Sequence, residues 1–103
     1  MSHFRSKKLL AAAKDQPCVL CGSVGSTVAC HANSVALGKG TGIKVADHYT
    51  AWLCRSCHDI VDGRVRWISS HYSSVYATPF DLWQHAFVRT VARWFELSIV
   101  VVK

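Results

Sequence analysis

The chain has 103 residues, half of them hydrophobic, and its 12 lysines and arginines outnumber six aspartates and glutamates to give a net charge of +6. This length favours a single domain over residues 1–103, and the hydrophobic content excludes a wholly disordered chain. No apolar run reaches the ~20 residues of a membrane span, so we expect no membrane contact and an intracellular, cytoplasmic protein. The positive charge favours a polyanion as partner, although a merely solvated basic surface is an equal alternative on charge alone.

The N-terminal part of the chain predicts a short helix that leads into a metal-binding turn. Ser6 is a good N-cap for a helix over residues 6–14, whose leucines and alanines favour helical structure. Pro17 ends this helix and is followed by Cys18-Val-Leu-Cys21, after which a glycine lets the chain turn tightly around an ion. A redox-active pair is the alternative, but no βαβ pattern surrounds this one.

Two strands are predicted next, over residues 27–31 and 48–54, because both segments contain β-branched or aromatic residues in short runs. The segment 37–44 between them has three glycines together with Lys39 and Lys44. Glycines let backbone N–H groups approach a phosphate closely, and lysines add positive charge. We therefore expect a long hairpin whose connection contacts phosphate.

A second cysteine pair, Cys54-Arg-Ser-Cys57, is followed directly by His58 and runs into a predicted short helix that Gly63 ends. Residues four apart share a helix face, so Asp62 is placed to orient His58 or to approach the same ion. The alternative, with equal weight, is that Asp62 is an exposed carboxylate on the helix surface.

The C-terminal part predicts a basic strand and a long helix. Arg64 and Arg66 alternate with apolar residues, which indicates an extended strand that presents both arginines on one side. Thr78 caps a helix over about 79–97, whose aromatic stripe we expect in the core. The strand-like segment 99–102 is predicted to add an edge to the hairpin or to pair two copies of the chain as a homodimer.

Four of the five cysteines form the two pairs, and in a reducing compartment such pairs are more often metal ligands than disulfides. Four thiolates bind zinc in a closed tetrahedron, so this zinc would be structural. The chain has, in order, a first Cys-x-x-Cys turn (a zinc knuckle), a hairpin, and a helix that starts at the second knuckle. This is the order of elements in a treble clef. The prediction is an α+β, zinc-stabilised treble clef (ββα-metal) at about residues 15–66, with a flanking N-terminal helix and a long C-terminal helix. The predicted zinc ligands are Cys18, Cys21, Cys54 and Cys57.

From about Lys8 to Arg64 these motifs resemble the HNH or His-Me finger endonucleases, particularly the small phage and prophage nucleases of the YbcO-like and Ref-like kind. The resemblance implies that His31, at the end of the first strand, is the general base. It also implies that His58 binds a catalytic Mg²⁺ or Mn²⁺. Many members have an aspartate ligand just before the base, whereas this chain has Cys30. Thiolate is a poor ligand for Mg²⁺, so either Cys30 packs in the core or groups such as Asp47 and Asp62 complete the metal site.

Phosphodiester hydrolysis requires a base for water, and cations that neutralise the phosphoryl oxygens. The expected function is therefore a metal-dependent DNA endonuclease with little sequence specificity, acting in phage recombination or DNA processing within a bacterial host, with a recombination protein as a further partner. A non-catalytic treble-clef zinc module that binds nucleic acid or protein is the alternative. The side chains expected to hold the DNA backbone are Lys39, Lys44, Arg55, Arg64 and Arg66.

Overall fold

The fold, taken from a computed structural model, is described for residues 5–32 and 46–100. It is a small α+β arrangement in which two antiparallel strands pack among three helices, as the sequence predicted at this coarse level. Two short 3-10 turns, Trp67–Ser69 and His71–Ser74, precede the last helix. The helices and strands in chain order are α1 (Lys7–Ala11), β1 (Val28–His31), β2 (Thr50–Leu53), α2 (Arg55–Val61) and α3 (Pro79–Glu96).

Strands β1 and β2 pair antiparallel, with Val28 opposite Leu53 and His31 opposite Thr50. All four residues of β2 are buried, because both faces of this small sheet are covered. Cys30 and Leu53 face a cluster with α2 and the first half of α3. The alternate residues face a second cluster with α1 and Trp94, since successive side chains of a strand point to opposite faces. The direction of each side chain of β1 therefore decides which cluster it joins.

Helix α3 is the longest element and is close to the predicted range 79–97. Thr78 and Asp81 form a capping box, with Pro79 in the first turn. Thr90 is fully buried and joins α3 to the sheet, because its hydroxyl accepts a hydrogen bond from the Trp52 backbone N–H at 2.9 Å. Phe95 departs from the expected aromatic core, since it lies 45% exposed near the end of the helix.

Helix α1 is shorter than predicted, but its beginning is as expected. The Ser6 hydroxyl accepts a hydrogen bond from the Leu9 N–H, and helical structure then gives way to turns after Ala11. Leu9 and Ala13 are buried against the sheet. No helix in the described ranges is long and apolar enough to cross a membrane.

The prediction of a strand over residues 64–68 is wrong. Gly63 adopts a φ of +80°, and the Arg64 N–H donates to the Asp59 carbonyl, so the chain folds back on α2. An extended segment needs a neighbouring strand to satisfy its backbone groups, and here the helix end satisfies them instead. The chain then enters the 3-10 turn that begins at Trp67.

The C-terminal strand is not formed at Ile99 and Val100. Their N–H groups both donate to the Trp94 carbonyl, at 2.8 and 3.2 Å, and their side chains pack against the cluster that contains α1. The rest of the segment 99–102 lies outside the described residues. The segment 37–44, with Lys39 and Lys44, for which phosphate contact was predicted, also lies outside them.

Candidate metal centre and histidine clusters

Four cysteine thiols converge where the first turn meets the start of α2. Their sulfur atoms lie within 4.8 Å of one another, and all four are free of disulfide bonds. The Sγ atoms of Cys21 and Cys54 are 3.5 Å apart. A tetrahedral zinc with bonds of about 2.3 Å would hold sulfurs roughly 3.8 Å apart, so the spacing fits such an ion. The cysteines positioned to bind a metal ion are Cys18, Cys21, Cys54 and Cys57.

Local backbone structure places each pair. The Cys18 N–H donates to the Ser23 carbonyl and the Gly22 N–H donates to the Cys18 carbonyl, both at 2.9 Å. Gly22 has a φ of +77°, which favours glycine, and this tight turn presents both thiols to one point. Cys54 is the N-cap of α2 and Cys57 lies in its first turn. The antiparallel strands bring the two pairs together.

The thiols influence one another strongly. A hydrogen bond from Cys57 lowers the pKa of Cys18 to about 4, and the same contact, together with burial, raises the pKa of Cys57. The Tyr72 hydroxyl lies 3.4 Å from the Cys57 sulfur, and burial followed by this contact raises the pKa of Tyr72. Tyr72 is a partner of the cluster that the sequence did not indicate, because it lies in a short 3-10 turn that no sequence pattern predicted.

His31 pairs with Asp47 on the side of the sheet that faces α1. Nε2 of His31 is 2.9 Å from Oδ1 of Asp47. The buried carboxylate also accepts hydrogen bonds from the Ser6 backbone N–H at 2.6 Å and from Arg5 at 3.3 Å. Burial by itself raises the pKa of Asp47, but the hydrogen bonds from His31, Ser6 and Arg5 outweigh it and lower the pKa below its ordinary value. Asp47 is therefore held as an anion beside His31.

We expect Asp47→Asn to lower the free energy of unfolding by about 1 to 3 kcal/mol at pH 7, because a neutral amide loses the charge-assisted bonds. Folding lowers the pKa of this carboxyl, so its stabilising contribution is complete above about pH 4 and is lost as the pH falls through the folded-state pKa. Urea unfolding of both proteins in saturating Zn²⁺ at pH 7 measures the difference.

Asp59→Asn is the matched control for this prediction. Asp59 pairs with the exposed Arg64 at 3.1 Å, and such surface ion pairs contribute about 0 to 1 kcal/mol. A loss of stability in Asp47→Asn at pH 7 that is no larger than the loss in Asp59→Asn would contradict the prediction.

His58 forms a second cluster on the opposite side of β1. Its Nε2 is 3.4 Å from Oδ2 of Asp62, as the four-residue spacing predicted. The Cys30 sulfur joins them, so that the ligand atoms of all three side chains lie within 4.8 Å of one another. Cys30 is fully buried, and this burial is the main cause that raises the pKa of its thiol.

The predicted site residues are thus divided between two clusters. Asp47 lies with His31 and not with His58, whereas Asp62 lies with His58 and Cys30. Within the described part of the chain, no group of three or more neighbouring metal-ligand atoms contains both histidines. His31 and His58 are separated because Cys30, which lies with His58, and His31 are adjacent residues of β1 and point to opposite faces.

An open cleft of about 650 Å³ lies beside His58 and is lined by Arg55, Arg64 and Asp59. Arg64 is 3.1 Å from Asp59, so part of the positive charge of the cleft is compensated. Arg66 is exposed at the start of the next 3-10 turn. The structure therefore brings two of the predicted DNA-binding arginines to one concave surface.

The fold and the cysteine cluster define a small α+β protein whose four clustered cysteines are positioned to hold a metal ion. No protein-family model, no curated protein and no solved structure matches this chain. Its chemistry is accordingly inferred from its own residues.

Proposed function

We propose that the protein is a metal-dependent DNA endonuclease of the HNH type, built on a treble clef that a structural zinc holds through the four-cysteine cluster. The observation that carries the proposal is the contact between His31 and the buried Asp47 anion at the end of β1. A carboxylate that accepts a hydrogen bond from one imidazole nitrogen orients the ring and stabilises its protonated form. Such a pair is a suitable general base for hydrolysis.

In this proposal His31 takes a proton from the attacking water. With Nε2 donating to Asp47, Nδ1 is the basic nitrogen of the neutral ring. The His31 side chain is 23% exposed, so part of its ring is open to solvent. Ser6 and Arg5 hold Asp47 in place, and they act on the reaction only through that carboxylate.

His58 has a separate task, because it lies in the other cluster. A divalent cation held there would neutralise charge on phosphate oxygens of the bound DNA. The HNH resemblance implies Mg²⁺ or Mn²⁺ for this ion, with Asp62 as a further ligand.

The cleft beside His58 supplies Arg55 and Arg64 for the DNA backbone, and such contacts make binding salt-dependent and nearly independent of sequence. Arg66, Lys39 and Lys44 are proposed to extend this surface. A cytoplasmic location is part of the proposal, because free thiols that bind zinc persist in a reducing compartment.

Nicking of supercoiled plasmid, with Mg²⁺, Mn²⁺, Co²⁺ or Zn²⁺ added in turn, tests the proposal. We expect His31→Ala to reduce the nicking rate about 10²- to 10⁴-fold, the usual contribution of a general base. His85→Ala is the matched control, since His85 lies outside both histidine clusters, with its ring tilted against Tyr76 at a centroid distance of 5.6 Å. Circular dichroism and zinc content show whether each variant is folded. Equal nicking by the two variants would contradict the role of His31.

A non-catalytic treble-clef module that binds nucleic acid or protein is the second candidate. It is favoured by one observation, the separation of His31 and His58 into two clusters. Fluorescence anisotropy with duplex, branched and single-stranded DNA distinguishes the candidates. Salt-dependent binding without cleavage in any of the four metals would support the module and overturn the nuclease. A homodimer through residues 99–102 and a recombination partner remain proposals that sedimentation and co-purification can test.

A further inference from the structure

Cys30, His58 and Asp62 bring together three different ligand atoms: a sulfur, an imidazole nitrogen and a carboxylate oxygen. All three lie within 4.8 Å of one another. The ligands come from β1, from α2 and from the C-cap residue of α2, so the fold and not a flexible loop determines their spacing. The backbone of Cys30 is further held by a 3.0 Å hydrogen bond from the indole N–H of the buried Trp83 to its carbonyl.

The burial of these ligands changes from one side of the cluster to the other. Cys30 is 0% exposed, whereas the side chains of His58 and Asp62 are 23% and 27% exposed. An ion could therefore enter from the solvent side, and a water or substrate oxygen could occupy its remaining position. Three protein ligands with one open position is the pattern of catalytic zinc sites, in contrast to the closed four-cysteine pattern of structural ones.

We propose that Cys30, His58 and Asp62 form a second metal site, which binds Zn²⁺ or Co²⁺ in preference to Mg²⁺. Thiolate and imidazole are ligands of borderline metals, whereas Mg²⁺ requires a nearly complete shell of oxygen atoms. Binding replaces the thiol proton by a metal–sulfur bond and releases that proton to solvent. This second site rests on the proposed function only in that His58 is a metal ligand in both. The metal expected there differs, because the HNH resemblance implies Mg²⁺.

Metal stoichiometry of the full-length protein tests this site without reference to activity. The protein is saturated with Zn²⁺, passed through a desalting column and analysed by mass spectrometry for metal per chain. We expect two ions for the parent protein and one ion for both Cys30→Ala and His58→Ala. His31→Ala is the matched control and retains two, because His31 lies in the other cluster. A tenfold excess of Mg²⁺ over Zn²⁺ is expected to leave two zinc ions bound.

Cobalt substitution gives a second measurement that does not depend on column losses. The Cys30→Ala protein is expected to lose the sulfur-to-cobalt absorption of one thiolate, and Cys30→Asp to lose the same absorption while keeping an oxygen ligand for the ion. One ion per chain in the folded parent protein, or two in folded Cys30→Ala, would overturn the second site. Two bound ions without any nicking would support the second metal site and overturn the proposed nuclease activity. One bound ion with Mg²⁺-dependent nicking would support the nuclease activity and overturn the second metal site.

Discussion

Removal of the metal from the four-cysteine cluster is expected to unfold the protein. Binding of a structural zinc contributes on the order of 10 kcal/mol of apparent folding free energy, while a domain of this size has a net stability of about 5 to 15 kcal/mol. The turn that carries Cys18 and Cys21 has no helix or strand of its own. Without the ion, this turn would be held by the packing of Cys18 in the core and by backbone contacts such as the 3.0 Å bond from the Val19 N–H to the Trp52 carbonyl.

Thermal melts followed by circular dichroism, with and without a strong zinc chelator, measure this effect. Cys57→Ser is expected to reproduce it in the presence of zinc, because Cys57 is buried between Cys18 and Tyr72 and a serine cannot replace a thiolate ligand. Ser56→Ala is the matched control, since Ser56 lies exposed between Cys54 and Cys57 and supplies no thiol. Zinc added back to the chelated protein should restore the melt. A chelated protein that melts at the same temperature as the zinc-loaded one would refute the structural role of the metal.

The second large effect is expected at Trp83, which joins α3 to β1. Trp83 is 2% exposed, stacks against Phe87 with ring centroids 5.0 Å apart, and donates its indole N–H to the Cys30 carbonyl. Trp83→Ala should therefore lower the free energy of unfolding by about 3 to 5 kcal/mol, as large aromatic deletions in a core do. Urea unfolding at pH 7 with saturating Zn²⁺ is the measurement.

Two further variants separate the causes at this position. Trp83→Phe retains much of the ring packing but removes the hydrogen bond, so we expect a loss of about 1 to 3 kcal/mol. Val88→Ala lies on the exposed side of the same helix, with the valine 68% exposed, and should change stability by less than about 0.5 kcal/mol. If Trp83→Ala were no more destabilising than Val88→Ala, the assignment of Trp83 to the core would fail.

Several elements were predictable because their signals lie within a few residues of one another. The capping residue Ser6, the capping box at Thr78 and Asp81, and the four-residue spacing of His58 and Asp62 are local interactions, and all are present. The two cysteine pairs belong to the same group, because their short spacing requires both thiols of a pair to face one point. The strand over residues 64–68 failed for the opposite reason, since a strand needs a partner that no local pattern specifies.

The amino-acid sequence by itself determined the two cysteine pairs, the capped α3 and the short α2 that carries His58, because these depend on neighbouring residues. Only the tertiary structure decided that Asp47 contacts His31 and that Cys30 contacts His58 and Asp62. The pleat of β1 directs two adjacent side chains to opposite faces, and helix packing determines what each one meets there. Contacts between residues 16 or more positions apart, such as Asp47 with His31, depend on how the whole chain folds.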